Sequence, residues 1–283
     1  MNPSFTPALQ AAVPPALLLL CLYDTPENQR WRCSARTLTS LGITAGLRQQ
    51  ALWVVDNGST CPHSAAFLRE WCEDQWRQGA LLRVFSLPGR RPATYAFNRL
   101  LALAPPEPVV VRVENDIEFH TVGWPGLLVN FLTRSGFGLV SPLPLDLPTQ
   151  AASMPTQGVG GFRAHVVDEV PGFCTAFSPA LRARLGALVS AGRYIEDVLT
   201  AERARAAGFG MAFLAAEELR CFHVDRAASA SYTAWKQQAV ADGWATMVQA
   251  RQAWREGRRP VYEAWQAEDG DGWAEWPGPL RES

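Results

Sequence analysis

Long hydrophobic runs, paired cysteines and an excess of either charge are all missing from this chain. No apolar stretch reaches the roughly 20 residues that a membrane-spanning helix needs. The most apolar segment, "PPALLLLCLY", is too short to span, and it has neither a basic n-region nor a small-residue cleavage site. It is therefore expected to be a buried strand rather than a signal peptide. The six cysteines (Cys21, Cys33, Cys61, Cys72, Cys174 and Cys221) include no CxxC pair, so metal-clip spacing is absent. A chain of 283 residues needs no disulfide staples, and these are expected to be reduced thiols in a cytoplasmic protein. With 26 Lys+Arg against 27 Asp+Glu, there is no general basic field for sequence-independent nucleic-acid binding. GxxxxGK[ST], GxGxxG and GxSxG are also missing from suitable positions, so P-loop, dinucleotide and nucleophile-elbow chemistry lack their fingerprints.

What is present is a hydrophobic content of 48%, ample for a core, in one large domain or one domain with an appendage. Short apolar runs alternate with amphipathic segments through roughly the first 220 residues. "ALLLLCLYD", "QALWVVDNGST", "LLRVFSLP", "PVVVRVEND" and "FGLVSPLP" read as strands. Between them, "RWRCSARTLTSLG" (closing at Gly42), "HSAAFLREWCEDQWRQG", "TYAFNRLLALA" and "WPGLLVNFLTRSG" read as helices. Continuous rather than alternating apolar strands predict an α/β fold with a mixed, mainly parallel sheet and helices on both faces. The Pro- and Gly-broken segment from Ser141 to Gly161 reads as a lid or acceptor loop, and helices resume at "SPALRARLGALV" and "YIEDVLTAERARAAGFG". Beyond about residue 228, Trp235, Trp244, Trp254, Trp265, Trp273 and Trp276 punctuate charged, helix-forming residues. That divides the chain into a domain over 1–227 and a Trp-rich helical C-terminal extension over 228–283, ending in a frayed tail. The tryptophans are expected to pack on the core, with stacking on a sugar or nucleobase as the alternative.

Ligands of open parallel sheets collect beyond the C-terminal strand ends. Three polar clusters fall there: "YDTPEN", "DNGST" and "ENDIE". One such cluster is an ordinary turn; three on one edge point to a site. In an extended chain Glu114 and Asp116 would point the same way, which suits two oxygen ligands of a hard divalent cation. Acids that are merely solvated, or that cap the next helix, are the plainer alternative. Glu196 and Asp197 open a helix, where acids also favour the macrodipole without any catalytic role. Ile195, Val198 and Leu199 would bury one face of that helix.

"ALWVVDNGST", "YAFNRLLALA", "VVVRVENDIEF", "VPGFCTAFSPALRARLG", "YIEDVLTAERARAAGFGMAFL" and "LRCFHV" resemble, in that order, the family-two glycosyltransferases of GT-A fold over roughly residues 16 to 224. The resemblance implies inverting, metal-dependent transfer of a sugar from a nucleotide-diphosphate donor to an acceptor hydroxyl. It places Asp56 on the base or ribose and Tyr23 and Asp24 around the base, with Asn57 and Asn98 also in the donor site. Asp116 becomes the metal ligand, helped by His223, with Glu114 and Asn115 facing the metal or the sugar-nucleotide. Glu114 stands where Asp is commoner, and its extra methylene shifts the carboxylate by about a bond length, so the direct ligation is assigned to Asp116 ahead of Glu114. Asp197 is assigned as the base, with Glu196 a close second. The cofactor is a divalent cation, Mn²⁺ or Mg²⁺, and an imidazole ligand favours Mn²⁺ modestly. A glycan, lipid, protein or nucleobase acceptor stays open. The rival readings are a nucleotidyltransferase of related fold and an inactive nucleotide- or sugar-binding module.

Overall fold

The computed structural model describes residues 15–145, 155–189, 196–224, 248–249, 252, 256 and 272–278. The chain begins with strand β1 (Ala16–Leu22), every residue of which is buried except the half-buried Cys21. Helix α1 (Trp31–Thr44), β2 (Ala51–Asn57), α2 (Pro62–Arg77), β3 (Leu81–Leu87), α3 (Ala93–Leu103) and β4 (Val109–Val113) follow in alternation. Next come β5 (Ile117–Phe119), α4 (Trp124–Ser135), β6 (Leu139–Pro142), the hairpin of β7 (Gln157–Val159) and β8 (Phe162–Val167), and β9 (Cys174–Phe177). The described chain ends with α5 (Pro179–Leu185), α6 (Glu196–Ala206), β10 (Met211–Leu214), β11 (Cys221–His223) and β12 (Ala274–Glu275).

Ten strands form one mixed sheet in the order β12-β3-β2-β1-β4-β9-β6-β10-β8-β7. Strands β3, β2, β1 and β4 are parallel, and the registers Leu22↔Asp56, Asp56↔Ser86 and Leu20↔Val113 bring their C-terminal ends to one edge. The chain winds from β1 outward to β3 and then returns to β4 on the other side of β1. The β1–β4 boundary is thus a topological switch point, the place where open α/β sheets form their ligand crevice. Strand β9 runs antiparallel to both β4 and β6, and β10 runs parallel to β6. A separate two-stranded ribbon pairs β5 with β11, in the register His223↔Ile117.

Local chemistry accounts for the element boundaries. Ser178 caps α5 by accepting the Leu181 N–H, and Pro179 follows it at the first helical position, where its missing N–H is harmless. Gly136 in the left-handed region closes α4. Trp124, fully buried at the start of α4, stacks on Phe119 at 4.0 Å and pins β5 from below.

Several details differ from the sequence reading. Helix α1 runs through Gly42 to Thr44 and ends ahead of Gly46, which takes φ of +68°. A glycine inside a helix weakens it by only about 1 kcal/mol, whereas Gly46 supplies the left-handed turn that ends it. The segment from Ser141 to Gly161 is not one loop: it starts in β6 and ends in the β7–β8 hairpin, whose two-residue turn is Gly160–Gly161 with φ of +58° and +86°. Residues 146–154, the heart of the expected lid, lie outside the described residues, as do Ile195 and most of 228–283. The described end of the C-terminal extension is a strand rather than a helix or a frayed tail. Strand β12 pairs antiparallel with β3, and Trp273 stacks on Phe85 at 4.9 Å. Trp273 and Trp276 both pack against the core, as expected. All six cysteines are free thiols, five of them buried.

Candidate active site

Asp24 sits at the switch point, completely buried, one turn beyond β1. Its carboxylate accepts Ser34 Oγ at 2.8 Å and Ser64 Oγ at 2.6 Å, and Asn115 Nδ2 at 3.3 Å. Its backbone carbonyl accepts the N–H groups of Thr60 and Cys61. One acid therefore ties β1 to α1, to α2 and to the turn after β4. Burial pushes its pKa up, and the two hydroxyls pull it back. Asn115 is buried beside it and also donates to Ser34 Oγ at 2.7 Å. The structure thus gives Asp24 and Asn115, both expected at the donor, a shared role beneath the crevice: their polar groups bond one another and α1.

Helix α1 contributes a stripe of hydroxyls at intervals of three. Thr37 Oγ1 accepts the Ile117 N–H at 3.1 Å, and Ser40 Oγ accepts the Phe119 N–H at 3.2 Å. These bonds satisfy one edge of the three-residue strand β5, while β11 satisfies the other. Clamped on both sides, β5 fixes Asp116 immediately before it. The Val224 N–H donates to the Asp116 carbonyl at 2.7 Å, and His223 Nε2 stands 3.7 Å from Asp116 Oδ1. On the other oxygen, Arg30 Nη2 pairs with Oδ2 at 2.5 Å. Arg30 follows Gln29, whose φ of +51° is the one left-handed non-glycine among the described residues. Asp116 itself is 1% exposed, so this ion pair offsets a buried charge.

Residues 114–116 are a turn, not an extension of β4, and the two acids consequently meet different partners. Glu114 faces Arg112, whose Nη2 lies 3.1 Å away and reaches Glu196 Oε1 at 2.7 Å. The Glu114 N–H donates to the Phe173 carbonyl at 2.8 Å. Burial raises the Glu114 pKa, Asp116 raises it further, and Arg112 opposes both. Glu114 is therefore within electrostatic reach of the Asp116 group and of the Glu196–Asp197 group alike.

Glu196 and Asp197 form the first turn of α6, anchored by buried Val198 and Leu199. Asp197 Oδ2 accepts the Gly172 N–H at 3.3 Å, and Oδ1 accepts the Val198 N–H at 2.8 Å. Burial and then the negative charge of Glu196 push its pKa up to about 7, against the pull of Arg112. Phe173, next to Gly172, packs edge-on to His223 with ring centres 6.2 Å apart. Asp116, His223, Phe173, Gly172 and Asp197 thus form a continuous series of contacts along the crevice.

On the β2–β3 side, Asp56 accepts the Ser59 N–H at 2.9 Å, and burial, ahead of that bond, raises its pKa. The Tyr23 ring lies under the Arg90 guanidinium at 4.6 Å. Asn57 clamps the β3–α3 loop: it donates to the Arg91 carbonyl at 2.7 Å and accepts the Arg91 N–H at 3.0 Å. Asn98 makes the same two-bond clamp on the backbone of Leu188, at 2.9 and 2.8 Å. Two asparagines expected in the donor site thus each clamp a loop, because a side-chain amide matches a backbone amide in both directions.

Sequence reasoning missed Arg30, Arg90 and Arg112. The signal for Arg112 was a lone cation inside a valine strand, "VVVRV"; the other two carried none. Among the described residues no three or more His, Cys, Asp or Glu side chains cluster in a way that could hold a metal. No described helix is long and apolar enough to cross a membrane.

No family model matches this chain, and no curated protein does either. Solved structures do. A mannosyltransferase from Pyrobaculum calidifontis, in complex with GDP-Man and Mn²⁺, superposes with a TM-score of 0.61 at 19% identity, over 87% of this chain and 66% of its own. GalNAc-T7 with UDP, GalNAc and Mn²⁺ gives 0.54 at 16% identity, over 74% of this chain and 42% of its own. The 1–349 piece of S. aureus TarS with UDP-GlcNAc gives 0.52 at 14% identity, over 71% of this chain and 58% of its own. This chain spans between two fifths and two thirds of those proteins. Its mixed α/β sheet, parallel at the N-terminal half with ribbon β5–β11 beside it, is the GT-A glycosyltransferase fold.

Proposed function

We propose that this protein is an inverting glycosyltransferase that moves a sugar from a nucleotide-diphosphate donor to an acceptor hydroxyl with the help of a divalent cation. The observation that carries the reading is the meeting of Asp116 and His223 through the β5–β11 ribbon, with Asp197 on the same crevice, raised to about 7. The neighbours' UDP, UDP-GlcNAc and GDP-Man ligands support a donor of this class.

The residues present fit an ion. Asp116 Oδ1 and His223 Nε2, a carboxylate oxygen and an imidazole nitrogen, face each other at 3.7 Å and would hold it together. With only these two protein ligands, an ion held here would remain open to the oxygens of a donor diphosphate. When bound, the ion would neutralise charge on the departing diphosphate. Arg30, already on Asp116, adds a second positive charge on that side. Tyr23 and Asp56 bracket the place for the nucleoside, at the ends of β1 and β2.

Asp197 then accepts the acceptor hydroxyl proton as that oxygen bonds to the anomeric carbon. The bond from the anomeric carbon to the phosphate oxygen breaks on the opposite face, and its electron pair leaves with the nucleoside diphosphate. A base with a pKa near the working pH serves this step well. Free thiols throughout are consistent with action in a reducing compartment, the cytoplasm.

The test is a thermal-shift screen of UDP, GDP, UDP-GlcNAc and GDP-Man with Mn²⁺ or Mg²⁺, followed by product analysis. A ligand at a hundred times its Kd stabilises by about 2.7 kcal/mol, or roughly 5–10 °C here. The expected result is such a shift with one base and one ion, lost in Asp116→Ala, together with sugar transfer lost in Asp197→Ala. Release of diphosphate from a nucleoside triphosphate would instead identify a nucleotidyltransferase. A shift with no transfer or donor hydrolysis would leave a binding module.

A further inference from the structure

Arg112 is the fourth of the five residues of β4, opposite Leu19 of β1 and Thr175 of β9, in the interior of the ten-stranded sheet. It is 4% exposed. A cation in such a position is costly unless carboxylates meet it, and two do: Nη2 alone bridges Glu114 Oε1 at 3.1 Å and Glu196 Oε1 at 2.7 Å. The guanidinium face lies 4.7 Å from the centre of the Phe97 ring, a packing that a lysine ammonium would not reproduce. Gly172 leaves room on the other side, since a Cβ there would stand 3.1 Å from Nη1. The same Gly172 gives its N–H to Asp197.

The consequence falls on two neighbouring acids. Glu196 is committed to a buried guanidinium at 2.7 Å, so its carboxylate already has a fixed partner. Asp197 is held by the main-chain N–H groups of Gly172 and Val198 instead. We propose that Arg112 is a positioning residue that locks Glu196 in a buried ion pair and so leaves Asp197, its neighbour, to take the acceptor proton. This rests on the transfer reaction proposed above. Among the described residues, the charged groups facing Asp197 are Glu196 on its own helix, Arg112 on β4 and Glu114 in the turn after β4.

The test compares the acid limb of kcat/KM for transfer in wild type, Glu196→Gln, Arg112→Lys and Arg112→Met, with melting of the same proteins. Removing the Glu196 charge should move the limb to lower pH by about one unit. Arg112→Met should move it the opposite way by a similar amount, and Arg112→Lys should lie nearer wild type. Loss of transfer at every pH in Glu196→Gln would make Glu196 the base and overturn the proposal. So would reduced rates with an unmoved limb, the mark of a merely structural role. If Arg112→Met fails to fold, the direction of the Glu196→Gln limb decides by itself. If wild type transfers no sugar, the reaction reading falls, and melting still judges the lock. Arg112→Met should then melt about 10 °C lower, with about half recovered on adding Glu196→Gln. No recovery would refute the pairing.

Discussion

Asp24 is a buried acid and Asp197 a half-buried one, and their surroundings differ. Asp24 collects two hydroxyls and an amide and braces four elements; Asp197 meets main-chain N–H groups and a like-charged neighbour. The pKa of Asp197, about 7 against an ordinary 3.8, means that the folded state binds its proton more tightly than the unfolded chain does. Its contribution to stability is therefore fully present below the ordinary value and is lost as pH rises through about 7. Asp197→Asn keeps the shape and removes that cost. The variant should melt higher than wild type at pH 8, by about 2–4 °C for each kcal/mol regained, and the advantage should vanish toward pH 4. Transfer should fall by about 10²–10⁴. A variant that melts lower at pH 8 than wild type would contradict the burial-driven shift.

At the scale of elements, short pieces of structure are held by side chains reaching across. The hydroxyl stripe of α1 completes β5, and the two asparagine clamps hold the loops that flank the crevice. The turn after β2 is the tightest point. Gly58 takes φ of +76°, and a Cβ there would stand 2.5 Å from the carbonyl carbon of Gly89 in the β3–α3 loop. Gly58→Ala must both strain the backbone and push the two loops apart, at a cost of about 1–3 kcal/mol. We expect lower melting and, because Asp56 is the penultimate residue of β2, just ahead of Gly58, and Arg90 lies in the β3–α3 loop, weaker nucleotide binding with little change in the response to Mn²⁺. Gly79, also at positive φ but with open space around it, is the control: Gly79→Ala strains the chain without moving a loop and should leave nucleotide binding alone.

For the whole molecule, the ion is expected to serve the ligand and not the fold. Asp116 is already neutralised by Arg30, and a continuous cluster of buried apolar side chains runs along the sheet from β3 to β10. Treatment with EDTA should shift the melting temperature of the ligand-free protein by less than about 2 °C, while abolishing the extra stabilisation by donor nucleotide. A large drop on chelation alone would show a structural metal, of the kind whose binding is itself folding energy. The C-terminal strand acts at this scale too: β12 extends the sheet beyond β3, and Arg83 joins Glu275 through paired bonds of 2.6 and 2.7 Å.

Much of this architecture is written locally. "ALLLLCL" and "VVVRV" carry enough continuous apolar surface to specify strands buried on both faces, and glycine or proline punctuates most of the helices. The three polar clusters could be placed at strand ends because strand ends follow from where apolar runs stop. Partners could not be read in the same way. That Asp116 meets His223, or that Arg112 reaches Glu196, depends on which strand lies beside which, and residues a hundred positions apart in sequence carry no mark of each other. Asn57 and Asn98 show the limit most plainly, since an amide suited to a ligand is equally suited to a neighbouring backbone.

By itself, then, the sequence determined the alternation of strand and helix, the edge at which polar residues gather and the acids available there, because these depend on periodicity and on neighbours along the chain. Only the tertiary structure decided which acids face open space, which are braces and which cation restrains which carboxylate. Burial and charge pairing belong to the packed molecule, and they set proton affinity and reach through contacts that no local pattern encodes.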